Sequence, residues 1–230
     1  MAVSNFLSYR SHRAIAAFLK YIGGAAFLLP LTFNSVNAGA EEAQRLAADI
    51  VVMLGDLRRL SEGDLLVRHQ QGLKERIEGV LAYMPLAVRS AESNFPDLKP
   101  LPENSTERLR NSWAAGDLNA MRVDLTQLTE RFPFSYANLV PPDQRAAAKN
   151  MARQLHENYC AACHDNPDLE VSRPAWSLYN LAKSLEHVEF AARLYVGVRG
   201  EHMMAMENPL KDMEMSALIA LYKNDYANVD

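Results

Sequence analysis

Apolar residues recur along much of this chain at steps of three and four, and that spacing restricts it to a fold of packed helices. Leu46, Ile50, Met53, Leu57 and Leu60 form one such stripe over residues 41–60. Leu66, Leu73, Ile77, Val80, Met84 and Val88 form a second over 62–93, with Pro85 expected to kink that helix. Pro96, Pro100 and Pro102 mark a loop, after which Ser105 or Thr106 is placed to cap a short helix running through Trp113. Gly116-Asp117 reads as a stop followed by a new cap, and Leu118, Met121, Leu125, Leu128 and Phe132 make the next stripe. Strand-like alternation of useful length is missing before residue 140. The expected class is therefore all-α, with an antiparallel bundle of three or four helices over about residues 41–135.

The first 38 residues have the layout of a secretory leader. Arg10, Arg13 and Lys20 are basic with no acid among them, Tyr21 to Phe33 is apolar, and Val36-Asn37-Ala38 supplies small residues for cleavage. The apolar core is short for a membrane span of roughly 20 residues. A retained membrane anchor is the alternative, because Ala14 to Phe33 is apolar apart from Lys20. Removing residues 1–38 takes away three basic residues and no acid, leaving 21 basic against 28 acidic, a net charge of −7. That balance argues against a nucleic-acid partner, which needs a basic face. It suits solubility, or docking to a basic protein.

Cys160-Ala161-Ala162-Cys163-His164 carries the chemistry. It reads C-x-x-C-H, the spacing of a covalent heme c attachment site, and it holds the chain's only two cysteines. Residues three and four apart on a helical turn face one way, so both thiols and the imidazole can meet one planar group. The thiols would add to the two heme vinyl groups, and His164 would be the proximal iron ligand. Export and covalent heme agree in pointing to the periplasm. A thioredoxin-like pair would need a βαβ context, and a structural zinc site would need further Cys or His ligands. Neither is in view. His156 shares a helical face with Cys160 and His164, and is expected as a partly exposed packing histidine rather than a residue at the heme edge. His69, on the stripe with Leu66 and Leu73, is expected as a satisfied core histidine.

From about residue 143 onward the chain resembles a class I cytochrome c. The resemblance rests on a helix leading into Cys160–His164, on Pro174, on Gly200 with His202-Met203-Met204-Ala205-Met206, and on Asp212 to Tyr222. It implies that the Pro174 carbonyl accepts a hydrogen bond from His164. It also implies that Met203, aligned on the family's M-P-x-M pattern, is the distal iron ligand. Met204 and Met206 are the alternatives, followed by His202 or His187, or an iron with an open position. Asp212 to Tyr222 would be the last helix, crossing the first. Ala152 and His156 stand where the family usually has a glycine and an aromatic, which implies an unusual crossing. In a cytochrome c′ the motif lies near the chain end, whereas 66 residues follow His164 here.

These observations divide the chain into a leader over 1–38, a helical bundle over 39–140 and a heme domain over 141–230. They imply one covalent heme c, no catalytic residues of an enzyme, and single-electron transfer between a donor and an acceptor protein. A heme subunit of a periplasmic dehydrogenase or oxidase complex is the alternative, joined to it or dimerised through the bundle. A heme-based ligand sensor is another.

Overall fold

The computed structural model describes residues 35–94, 101–102, 104–139, 146–172, 174–197 and 210–223, with the backbone alone for 35–40 and 138. Every regular element among them is helical. Residues 34–230 form one compact unit.

Helix α1 (Ser35–Glu62) and helix α2 (Val67–Asn94) realise the two long stripes. Leu46, Ile50, Met53 and Leu57 on α1, and Leu73, Ile77, Val80, Met84 and Val88 on α2, are all buried. The expected second helix began at residue 62. Instead Gly63, at φ +77°, ends α1, and Leu66 precedes α2 and is 52% exposed. Glycine takes that backbone conformation without a Cβ penalty, so it sets the corner.

Helix α2 continues through Pro85. Proline has no N–H to give the carbonyl four residues earlier, that of Leu81. Arg110 of helix α3 (Ser105–Ala114) donates its Nε–H to that carbonyl at 3.3 Å, so the gap in the ladder is filled from a neighbouring helix. The N-cap of α3 is Asn104, at φ 72°, and not Ser105 or Thr106. The Ser105 hydroxyl instead donates to the Pro102 carbonyl at 2.7 Å. The next junction is as expected. Gly116, at φ +71°, ends α3, and the Asp117 carboxylate accepts from the Ala120 N–H at 2.9 Å to cap α4 (Leu118–Arg131).

Beyond a short 3₁₀ turn (Ala137–Leu139) lie α5 (Ala146–Tyr159), α6 (Ala161–His164), α7 (Leu178–Ser184), α8 (His187–Val196) and α9 (Asp212–Tyr222). Every residue of α9 from Met215 to Tyr222 is buried. A helix apolar all round belongs in the middle of a core, and α9 packs on α5, α7, α8 and the 3₁₀ turn. Lys223, just past its end, donates to the carbonyls of Ala182 and Leu185 at 2.6 Å each and ties down the end of α7.

Helix α1 packs on α2, α4 and α8. Helices from both sides of the Pro141-Pro142 boundary thus meet directly, and one apolar core runs through both. The boundary itself lies outside the described residues. The α1–α8 contact holds a buried charge cluster. Asp56, with a fully buried side chain, accepts from Arg76 of α2 at 2.6 and 3.1 Å and from Arg193 of α8 at 2.8 Å. Glu189 of α8 accepts from Arg193 at 2.7 Å and from Arg58 of α1 at 2.8 Å. Burial alone would raise the Asp56 pKa, but Arg76 and Arg193 outweigh it and hold the carboxyl below its usual value. Gly55 makes the approach feasible, since a Cβ there would sit 2.1 Å from Glu189 Oε1.

Candidate functional site

Helix α5 ends at Tyr159, and Cys160, at φ −118° and ψ −42°, bends the chain into α6. The N–H groups of Cys163 and His164 both return to the Cys160 carbonyl, at 3.2 and 3.0 Å. The motif is therefore one closed helical turn, as its spacing predicts. Cys160 is half-buried and packs on the core, Cys163 is exposed, and both thiols are free. Burial raises the Cys160 thiol pKa.

The His164 Nδ1 lies 2.6 Å from the carbonyl oxygen of Trp176. A carbonyl only accepts, so Nδ1 carries the proton and Nε2 of the neutral ring carries the lone pair. Burial lowers the His164 pKa, outweighing the Trp176 hydrogen bond that acts the other way. The ring is thus neutral at pH 7. The resemblance implied that Pro174 would supply this acceptor. The structure places it two residues further on, at Trp176, and Pro174 instead offers its backbone to His69.

Three residues at the α1–α2 corner meet the segment that ends at Trp176. The His69 ring stacks on the Trp176 indole, with centroids 4.0 Å apart and planes 20° apart. The Arg59 guanidinium lies 4.9 Å from the indole centroid. Arg68 donates to the carbonyls of Leu169 and Val171 at 2.7 and 3.3 Å and pairs with Glu170 at 3.5 Å. Arg59 is 7% exposed, and burial, reinforced by Arg193, pushes its pKa down to about 10, so it stays charged at pH 7. His69 differs from the satisfied core histidine expected of it. Its Nε2 is buried without a hydrogen-bond partner among the described residues, and the ring is held by the Pro174 backbone and through its face.

On the other flank, His156 is 6% exposed rather than half in solvent. Its Nε2 lies 3.0 Å from Asp165, and its Nδ1 lies 2.8 Å from the Tyr222 hydroxyl, which also reaches the Cys160 thiol. The carboxylate fixes the proton on Nε2, so Nδ1 accepts from Tyr222. Burial raises the Tyr222 pKa and keeps the phenol protonated. The crossing of α5 and α9 is built on this bond, with fully buried Ala152 beside it and edge-to-face contacts among His156, Tyr179, Tyr222 and Phe190. A histidine–tyrosine hydrogen bond thus stands where α5 and α9 cross. Its sequence signal was the pair of polar-aromatic residues on otherwise apolar faces.

Gly200, His202, Met203, Met204 and Met206 lie outside the described residues. His187 begins α8 and stacks on Tyr136, with centroids 6.5 Å apart. Met215 is buried in the core and Met213 is 71% exposed. Among the described residues, no group of three or more His, Cys, Asp or Glu side chains is placed to hold a metal ion by itself. None of the described helices is long and apolar enough to cross a membrane. No family model, curated protein or solved structure matches the chain.

Proposed function

We propose that this chain carries one covalent heme c on Cys160, Cys163 and His164 and passes single electrons between proteins of the periplasm. The observation that carries the reading is the His164 geometry. Nδ1 is committed to the Trp176 carbonyl at 2.6 Å, which leaves the Nε2 lone pair for iron and makes it a better donor. The rest of the donor set fits. The two thiols are free and stand on the same turn as the imidazole. Each thiol would add across one heme vinyl group, with sulfur bonding to one carbon and the hydrogen to the other, so no outside oxidant is needed.

When bound, the iron supplies a reversible one-electron couple. Met203 is proposed as the distal ligand, with Met204 and Met206 as alternatives. A thioether opposite histidine raises the reduction potential and leaves no open position for substrate. The leader over residues 1–38 would deliver the chain to the compartment where heme c is attached. The net charge of −7 after its removal suits a basic redox partner. The bundle over residues 39–140, preceding a class I cytochrome c domain over 141–230, is the surface available for a fixed complex or for a dimer. In a heme subunit of a dehydrogenase or oxidase it would make that contact.

The test is the exported protein, made with the heme-attachment machinery present. Heme should stay with the polypeptide on a denaturing gel and be lost from Cys160→Ala/Cys163→Ala. The optical spectrum should be low-spin, with a far-red methionine-to-ferric-iron band that Met203→Ala abolishes, and carbon monoxide should leave it unchanged. A prompt carbon monoxide shift would favour the sensor, and a protein without heme would end the proposal.

A further inference from the structure

We infer that the α1–α2 corner is a clamp on the proximal side of the heme site, and that His69 and Arg68 are positioning residues for His164. The inference rests on the heme reading for its consequence, though its geometry stands by itself. The only described group holding the His164 Nδ1 proton is the Trp176 carbonyl, at 2.6 Å. That carbonyl sits in an extended stretch between α6 and α7, outside any helical hydrogen-bond ladder. It adjoins Ser177, the N-cap of α7, and the bundle adds contacts to the stretch before it. His69 covers the indole at 4.0 Å, Arg59 adds a cation over the ring at 4.9 Å, and the Pro174 backbone is bonded to His69. Arg68 holds the same stretch further back through the Leu169 and Val171 carbonyls.

Each contact has a distinct physical character. Stacked aromatic rings and a cation over an indole each stabilise a contact beyond the apolar area they bury. His69 Nε2 has no partner among the described residues, while the ring also bonds the Pro174 backbone, so the site uses both its face and that bond. Arg59 is buried although its charge opposes burial, and the electron-rich indole offsets part of that cost. All three residues flank one corner, the α1–α2 turn at Gly63, with Arg59 at the end of α1 and Arg68 and His69 at the start of α2. This gives the bundle a task within the heme site besides any docking role. A looser corner would let the Trp176 carbonyl retreat from Nδ1. The imidazole would become a poorer donor to iron, and the ferrous state would gain relative to the ferric.

Four full-length proteins test this: the natural sequence, His69→Ala, His69→Phe and Arg68→Ala. Two quantities are read, the midpoint potential and the exchange rate of the His164 Nδ1 proton by NMR. In His69→Ala the potential should rise. The proton should exchange about tenfold faster, the change that about 1.4 kcal/mol of lost local stability produces. His69→Phe keeps a flat ring on the indole but loses the bond to Pro174, so it should bring both values part of the way back. Arg68→Ala should shift both in the same direction as His69→Ala. Arg68 is 45% exposed, so this variant folds even if His69→Ala does not. Unchanged potential and exchange in Arg68→Ala and in folded His69→Ala would overturn the clamp. The exchange rate can be read without heme. A natural protein lacking heme therefore overturns the heme reading alone, and the clamp is still decided.

Discussion

Single residues near the motif do more than their types suggest. His69 is the clearest case, because one ring both stacks on Trp176 and resists protonation. Burial lowers its pKa from 6.5, and the nearby Arg59 adds to the effect. The unfolded chain therefore takes up a proton first as the pH falls through about 6.5. The stability that neutral His69 contributes is fully present above that pH and is lost as the pH drops toward the folded value. The melting temperature should fall between about pH 7.5 and pH 5.5, and His69→Phe should flatten that slope. Thermal scans of both proteins across that range check it. His156 is more deeply buried, and its nitrogens are both used, one by Asp165 and one by Tyr222. The same residue type thus serves as a stacking plate on one flank of the motif and as a polar link on the other.

At the scale of elements, two contacts decide how the helices approach each other. The proline in α2 leaves the Leu81 carbonyl to be filled by Arg110 from α3. Arg110→Met should cost about 0.5–1.5 kcal/mol in urea unfolding, the worth of one such bond. In a Pro85→Ala background the helix supplies its own N–H, so the same substitution should cost less. A double-mutant cycle measures the difference. Gly55 controls the approach of α1 to α8. A methyl there would fall 2.1 Å from Glu189 Oε1 and 2.9 Å from an Arg193 nitrogen. Gly55→Ala should destabilise by about 1–3 kcal/mol, the usual cost of overpacking, although alanine favours a helix over glycine. A smaller cost, or a gain, would mean the Glu189 side chain swings aside.

For the whole molecule, within the described residues, the α1–α8 contact and the shared core join the helices before residue 140 to those after it. Asp56 sits at the junction of α1, α2 and α8 with Arg76 and Arg193 on it. Residues 34–230 should accordingly unfold in one cooperative transition, with calorimetric and van't Hoff enthalpies equal. Asp56→Ala takes the carboxylate from Arg76 and one of two from Arg193, whose side chain is only 10% exposed and which keeps Glu189. It should lower stability by about 3–5 kcal/mol while leaving a single transition. Two separate transitions in the natural protein would show instead that the N-terminal and heme-motif helices fold independently.

The sequence by itself determined the helices whose apolar residues repeat at steps of three and four. It also determined the Asp117 cap and the closed turn at Cys160–His164, because short-range spacing governs both, whereas the Asp212–Tyr222 helix, buried from Met215 to Tyr222, has no such stripe and follows only from the resemblance to class I cytochromes c. Periodicity alone could not place the start of α2, since Leu66 fits the stripe in sequence yet lies before the helix. The cap of α3 went to Asn104 because its backbone, not its neighbour's hydroxyl, made the turn. Only the tertiary structure decided that the Trp176 carbonyl rather than that of Pro174 accepts the His164 hydrogen bond, that His69 lies on that tryptophan, and that His156 is buried against Tyr222. The charge cluster at Asp56 belongs with these, since Arg193 is 137 residues away. Such contacts depend on where distant helices cross and which way each side chain then points, and no local pattern in the chain encodes either.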